Sequence, residues 1–143
     1  MGNTLDYLEE YDKLKTKVLK YIIYKKRTEK EIWQKFEQSI EEEILEDIIE
    51  ELKENGYIND NNYIDRAVNE FMALKNMSIK EIKYKLYSKG LDARLIDDYI
   101  SKNRDILEEF ENKSYQNILI KKSNQMDEDE IKKYLYRKGY KAD

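Results

Sequence analysis

Residues Ser78–Ile100 read "SIKEIKYKLYSKGLDARLIDDYI". Ser78 stands three residues before Glu81, the spacing at which a hydroxyl caps a helix N-terminus and the glutamate reaches back to the cap N–H. Ile82 and Leu86 follow at i, i+4, which places them on one helix face. Gly90 supplies the residue best able to end that helix in a left-handed conformation. Leu95, Ile96, Tyr99 and Ile100 then resume helical spacing. The stretch predicts a short capped helix, a stop and a medium helix.

The same phrase occurs twice more. "KEIWQKFEQSIEEEILEDII" (Lys30–Ile49) and "DEIKKYLYRKGYKAD" (Asp129–Asp143) place Glu31 and Glu130 in register with Glu81, at separations of 50 and 49 residues. Thr28 and Asp127 occupy the cap position, with Asp a variant cap. The buried-face pairs become Ile32/Phe36 and Ile131/Leu135, and Gly139 matches Gly90, while the first copy has no glycine there. Ile44, Leu45, Ile48, Ile49 and Leu52 predict the medium helix of the first copy, stopped at Gly56. A longer helix precedes each cap. Leu14, Val18, Tyr21 and Ile22 match Ile64, Val68, Phe71 and Met72, and Tyr115, Ile118 and Leu119 repeat part of that spacing. Asp60 or Asn61 is expected to cap the second long helix.

The predicted architecture is all-α: three tandem three-helix repeats in an elongated, curved array, the third lacking its last helix. Units this small bury little apolar surface alone, so neighbours are expected to share cores. The expected boundaries are an N-terminal extension at 1–9 and repeats at 10–56, 57–103 and 104–143. Tyr140 matches Leu91, and Lys141-Ala142-Asp143 match Asp92-Ala93-Arg94. Completing the third unit takes about ten to fifteen more residues, so a trimmed piece of a longer protein is expected.

Composition agrees with helices and narrows the chemistry. The 143 residues include no Pro, four Gly, 41% charged and 40% hydrophobic side chains, a mixture that folds and has few helix breakers. There is no Cys and no His, which removes thiolate nucleophiles, disulfides and the commonest general base and metal ligand. No cofactor, small-molecule substrate or membrane partner is expected, since no apolar run approaches a membrane span. The start resembles no signal peptide, and Asp6 breaks the myristoylation pattern after Gly2. A cytoplasmic location is the default expectation.

The net charge of −4 is uneven: residues 1–60 carry 10 basic and 16 acidic side chains, residues 61–143 carry 17 and 15. Lys75, Lys80, Lys83, Lys85, Lys89 and Arg94 form a basic run. It is either a solvated helix face or a contact to phosphate or an acidic protein surface. Lys132, Lys133, Arg137 and Lys138 give the third copy a matching run. Tyr84, Tyr87, Tyr134 and Tyr136 alternate with these cations, suiting an interface or half-buried packing equally well. Lys25, Lys26 and Arg27 make a basic corner before Thr28, which would complement a helix C-terminus.

"LKYIIYKKRTEKEI" (Leu19–Ile32), "LKENGYINDNNYIDRAVNEF" (Leu52–Phe71) and "SIKEIKYKLYSKGLD" (Ser78–Asp92), in this order and spacing, resemble the RecX regulatory proteins, modulators of the RecA recombinase. Tyr63-Ile-Asp-Arg66 and Lys89-Gly-Leu-Asp92 occupy the places of that family's aromatic-Ala-Arg helix and Lys-Gly joint. The chain departs from it in lacking a Pro before the first short helix and the Lys-Gly joint in the first repeat. The resemblance implies a protein without chemistry of its own that binds the RecA filament on single-stranded DNA. It would restrain filament growth, ATP hydrolysis, strand exchange and co-protease activity, with weak direct DNA contact as an added element. It implies contact residues at Arg66, Lys83, Tyr84, Lys85, Tyr87, Lys89, Arg94, Lys132, Lys133, Arg137 and Lys138. The residues alone also admit a helical DNA-binding protein, a protein–protein adaptor, or, from the acidic runs Glu41–Glu43 and Glu46–Asp47, a carboxylate-metal site.

Overall fold

The computed structural model describes residues 4–141, in helices, the turns between them and the short segment after the last helix. Residues 1–3 of the expected extension, and Ala142 and Asp143, which align with Ala93 and Arg94, lie outside the described residues. The helices are α1 (Thr4–Tyr24), α2 (Glu29–Phe36), α3 (Glu42–Glu54), α4 (Asp60–Leu74), α5 (Ile79–Ser88), α6 (Ala93–Lys102), α7 (Arg104–Lys122) and α8 (Glu128–Arg137). Their order is long, short, medium; long, short, medium; long, short. Helix α1 begins at Thr4 and takes in residues 4–9.

Two compact units form, one of Met1–Tyr63 with Lys89–Leu91, the other of Ile64–Ser88 with Asp92–Asp143. The first is centred on Val18 and Ile22 of α1, Ile32 and Phe36 of α2, and Leu45, Ile48, Ile49 and Leu52 of α3, all buried. These are the helical-spacing positions read from the sequence. Burying a side chain of this size stabilises the fold by roughly 1.5–3 kcal/mol. In the second unit Ile64, Val68, Ile82, Leu86, Ile96 and Ile100 are buried. A separate cluster there joins Ile131, Leu135 and Tyr140 to Tyr115, Ile118 and Leu119.

The caps explain where the short helices begin. Thr28 Oγ1 accepts from the Glu31 N–H at 3.2 Å and the Glu31 carboxylate accepts from the Thr28 N–H at 2.9 Å. Ser78 and Glu81 repeat the exchange at 3.1 Å in each direction. At α8 the box is half made: Asp127 accepts from the Glu130 N–H at 2.8 Å, but Glu130 turns to the Asp127 side chain. The backbone N–H lowers the Asp127 pKa, and hydrogen bonding to Asp127 raises that of Glu130. Two carboxylates meet there, so the reciprocal exchange expected from the sequence gives way to a bond between the two side chains.

Both hydroxyl caps have a second task. The Thr28 hydroxyl donates to the Lys89 carbonyl oxygen at 2.7 Å, within the first unit. The Ser78 hydroxyl donates to the Lys138 carbonyl oxygen at 2.6 Å, within the second. Each accepting carbonyl precedes a glycine at positive φ, +84° at Gly90 and +92° at Gly139. A Cβ on Gly90 would meet the Lys30 stem at 2.6 Å, and one on Gly139 the Lys80 stem at 2.7 Å. Glycine is required there both by the left-handed backbone and by the close approach. In the third copy Asp127 and Asp129 hold the hydroxyl and lysine positions, and a carboxylate has no proton to donate.

The first free N–H groups of α2 and α5 are also satisfied from elsewhere. Glu29 N–H donates to Asp60 at 3.1 Å, and Ile79 N–H donates to the buried Glu111 at 2.9 Å. A carboxylate at a helix N-terminus satisfies an orphan donor and complements the helix dipole. Asp60 or Asn61 was expected to cap α4, and both lie inside that helix. Asn59 caps it instead, its Oδ1 accepting from the Asn62 N–H at 3.0 Å, and burial raises the pKa of Asp60.

Candidate functional site

Every candidate contact residue is exposed; on α5 and α8 the i, i+4 pairs Ile82/Leu86 and Ile131/Leu135 turn the opposite face inward, while Lys89 and Lys138 lie in the turns that follow those helices. The candidates divide into two groups and several separate positions. On α5, Lys83, Tyr84 and Tyr87 join Ala93, Ile96 and Asp97 around a shallow groove of about 260 Å³. Tyr84 and Tyr87 are 73% and 66% exposed, so neither ring is committed to the core. Lys83 pairs with Asp97 at 3.1 Å across the groove. That contact is solvent-exposed and contributes at most about 1 kcal/mol, so a partner could exchange it at little cost.

On α8, Lys132, Lys133, Tyr136 and Arg137 line a second hollow of about 430 Å³. Tyr136 is 73% exposed, and Lys132 pairs with Glu128 at 3.3 Å. Lys132 and Tyr136 stand 49 residues after Lys83 and Tyr87. One pattern, a lysine and a tyrosine four residues apart on the outer face of a short helix, therefore occurs on both. Tyr134 behaves otherwise. It is half-buried, with the ammonium groups of Lys122 and Lys138 at 4.6 and 5.7 Å from its ring centre. Of the four alternating tyrosines, three are open to a partner and this one packs.

The remaining candidates lie outside both hollows. Arg66 is exposed on α4. Lys85 is exposed on α5, and Arg94 lies in the first turn of α6, its N–H donating to Asp92 at 2.7 Å. Lys89 falls in the first unit with its carbonyl held by Thr28, and Lys138 lies along Tyr134 with its carbonyl held by Ser78. Ala93 and Ile96 are contributors that the sequence did not single out, and Tyr136, which the sequence left open between interface and packing, is exposed. The register of Tyr136 with Tyr87 is the signal that identifies the last of these.

Among the described residues no group of three or more acidic side chains is arranged to hold a metal ion. No helix among them is long and apolar enough to cross a membrane.

Among the described residues, eight helices in a recurring long-short-medium order, with two capped joints of the same design, define an all-α protein of helical-repeat type. Comparison with known proteins gives the family. The chain is 32% identical over 131 residues to Regulatory protein RecX of Clostridioides difficile (strain 630), covering 91% of this chain and 59% of that protein. It is 36% identical over 83 residues to Regulatory protein RecX of Finegoldia magna, covering 57% and 40%. Its fold matches the crystal structure of RecX from Lactobacillus salivarius with a TM-score of 0.79 and 25% identity, over 94% of this chain and 90% of that one. A second crystal structure, of regulatory protein RecX, matches in fold with a TM-score of 0.82 at 22% identity, over 97% and 72%. No family model matches the sequence. The chain belongs to the RecX family of regulatory proteins. It spans 59% and 40% of the lengths of the two curated relatives.

Proposed function

We propose that this protein binds the RecA recombinase filament on single-stranded DNA and restrains its growth, and with it ATP hydrolysis, strand exchange and co-protease activity. The observation that supports this most is the recurrence of one exposed lysine-tyrosine face on α5 and α8 in a chain of the RecX family. Lysine supplies charge toward acidic side chains or phosphate, and tyrosine supplies rigid contact area with a polar tip. Two faces on one chain raise the effective concentration of the second contact once the first has formed. The division into repeats at 10–56, 57–103 and 104–143 belongs to the same reading.

Arg66, Lys85, Lys89, Arg94 and Lys138 extend the charged surface in this reading, and direct contact with single-stranded DNA is a minor element of it. A net charge of −4 and a pI near 5.2 leave little attraction for bare DNA. The test is RecA filament growth on single-stranded DNA in the presence of this protein. Inhibition that disappears on reversing Lys85 and Lys89 supports the reading. A salt-sensitive shift of naked DNA with no effect on RecA would replace it with the DNA-binding alternative.

A further inference from the structure

The basic corner before Thr28 is built differently from its counterparts. Immediately before the three caps stand Arg27, Met77 and Met126. Met77 is buried, and Met126 packs on the Ile131–Leu135–Tyr140 cluster. Only the first copy places a guanidinium at this core-facing position. Arg27 is held by stacking on Tyr21, with its Cζ 4.1 Å from the ring centre. Its Nε is buried and has no hydrogen-bond partner among the described residues. An unpaired buried donor is costly and therefore uncommon, and methionine at the same position avoids it.

Arg27 also lines a partly enclosed polar cavity of about 150 Å³ with Lys26, Asn59, Asn62 and the Gly56–Tyr57 turn. No carboxylate lines it. Lys26 is fixed at the rim by donating to Asn62 Oδ1 at 3.0 Å, and Tyr57 stands half-exposed beside it. A cavity near 150 Å³ holds one benzene-sized guest, which admits a tetrahedral oxyanion and excludes a whole nucleoside. Two cations and two side-chain amides favour a phosphate group, and a guanidinium can offer it parallel donors.

We infer that Lys26, Arg27 and the Asn59–Asn62 turn form a binding site for a single phosphate group. The Arg27 guanidinium and the Lys26 ammonium supply the charge that such a group needs, and the Arg27 Nε–H, without a partner among the described residues, reports on that guanidinium. The group is either free phosphate or one phosphodiester of a single strand, and these sources are separable.

The test follows the Arg27 Nε–H resonance of the full chain by ¹H–¹⁵N NMR, assigned by its absence in Arg27→Lys. Inorganic phosphate is titrated at constant ionic strength against chloride. The expected result is a saturable shift with a dissociation constant on the order of 1 mM, the weak range open to so small a ligand. Arg27→Met, which installs the residue of the other two copies, should weaken binding at least tenfold while leaving the helical circular dichroism unchanged. Lys26→Gln, at an exposed position, should weaken it severalfold and serves if Arg27→Met fails to fold. A thymidine hexamer without terminal phosphate forms the second arm. If it moves the same resonance, the source is a phosphodiester; if only inorganic phosphate does, the source is the free anion. A phosphate response equal to that in chloride, or unchanged affinity in both variants, would overturn the site and leave Arg27 as a closing charge at the end of α1.

Discussion

The Thr28 hydroxyl donates to the Lys89 carbonyl oxygen at 2.7 Å, across 61 residues of chain. Thr28 Oγ1 itself accepts from the Glu31 N–H, so one buried side chain starts α2 and fixes the Lys-Gly joint. Ser78 does both for α5 and Lys138. A hydroxyl suits this double task because it donates and accepts at once.

Removing that hydroxyl should therefore cost more than removing an ordinary cap. Thr28→Val keeps the shape but leaves a part-buried carbonyl and a helix N–H unpaired, and a loss of about 2–3 kcal/mol is expected. Ser78→Ala should behave alike. Ser88→Ala, which removes only an exposed bond to the Lys85 carbonyl, should stay within about 0.5 kcal/mol. Urea unfolding checks all three. Equal effects at Thr28 and Ser88 would mean that the long-range bond contributes nothing.

The three positive-φ glycines should separate into two classes. Gly56 has φ +81° and open space where a Cβ would sit, whereas Gly90 and Gly139 have lysine stems within 3 Å. Gly56→Ala should cost about 1–2 kcal/mol for the left-handed backbone alone. Gly90→Ala and Gly139→Ala should cost about 2–4 kcal/mol, because the lysine stem must also move. Truncating Lys30 to Ala should recover part of the Gly90→Ala loss. Thermal melts in which all three alanines cost the same would contradict the close approach.

What was legible beforehand follows from how local each device is. The caps at Thr28 and Ser78, the i, i+4 core pairs and the stops at Gly90 and Gly139 are each written within a dozen residues, and all appear as read. The second bond of each cap hydroxyl is not, since its acceptor is a backbone atom about sixty residues away that every residue possesses. Asp60 misled for the same reason. Its residue type fits a cap, but tertiary packing directs it to Glu29 N–H, which leaves Asn59 to cap α4. At the contact faces, alternation of Tyr and Lys left burial open on both readings. The depth of the neighbouring helices decides it, packing Tyr134 and exposing Tyr84, Tyr87 and Tyr136.

Alkaline pH should destabilise the second unit through Tyr140. Its buried phenol is edge-on to Tyr115, with ring centres 6.2 Å apart. Burial raises its pKa, and the carboxylates of Glu81 and Glu111 raise it further. The folded state therefore keeps a proton that the unfolded chain gives up near pH 10. Stability from this group is complete below that pH and declines above it, by up to about 1.4 kcal/mol per pH unit. Denaturant unfolding at pH 8 and pH 11 should show a smaller loss in Tyr140→Phe than in the parent. Identical losses would exclude Tyr140 as the cause.

The exposed faces should be separable from stability. Tyr84→Ala with Tyr87→Ala, or Lys85→Glu with Lys89→Glu, replaces only exposed side chains and should shift unfolding by less than about 1 kcal/mol. Either pair should weaken inhibition of RecA at least tenfold. Loss of helicity parallel to loss of inhibition would make these residues structural instead.

The most direct measurement is RecA ATP hydrolysis and filament extension on single-stranded DNA, with this protein added below the RecA concentration. The account predicts that both fall as protein is added, and that the Tyr84→Ala, Tyr87→Ala form restores them. Unchanged hydrolysis and extension, with the protein folded and in molar excess over filament ends, would contradict it.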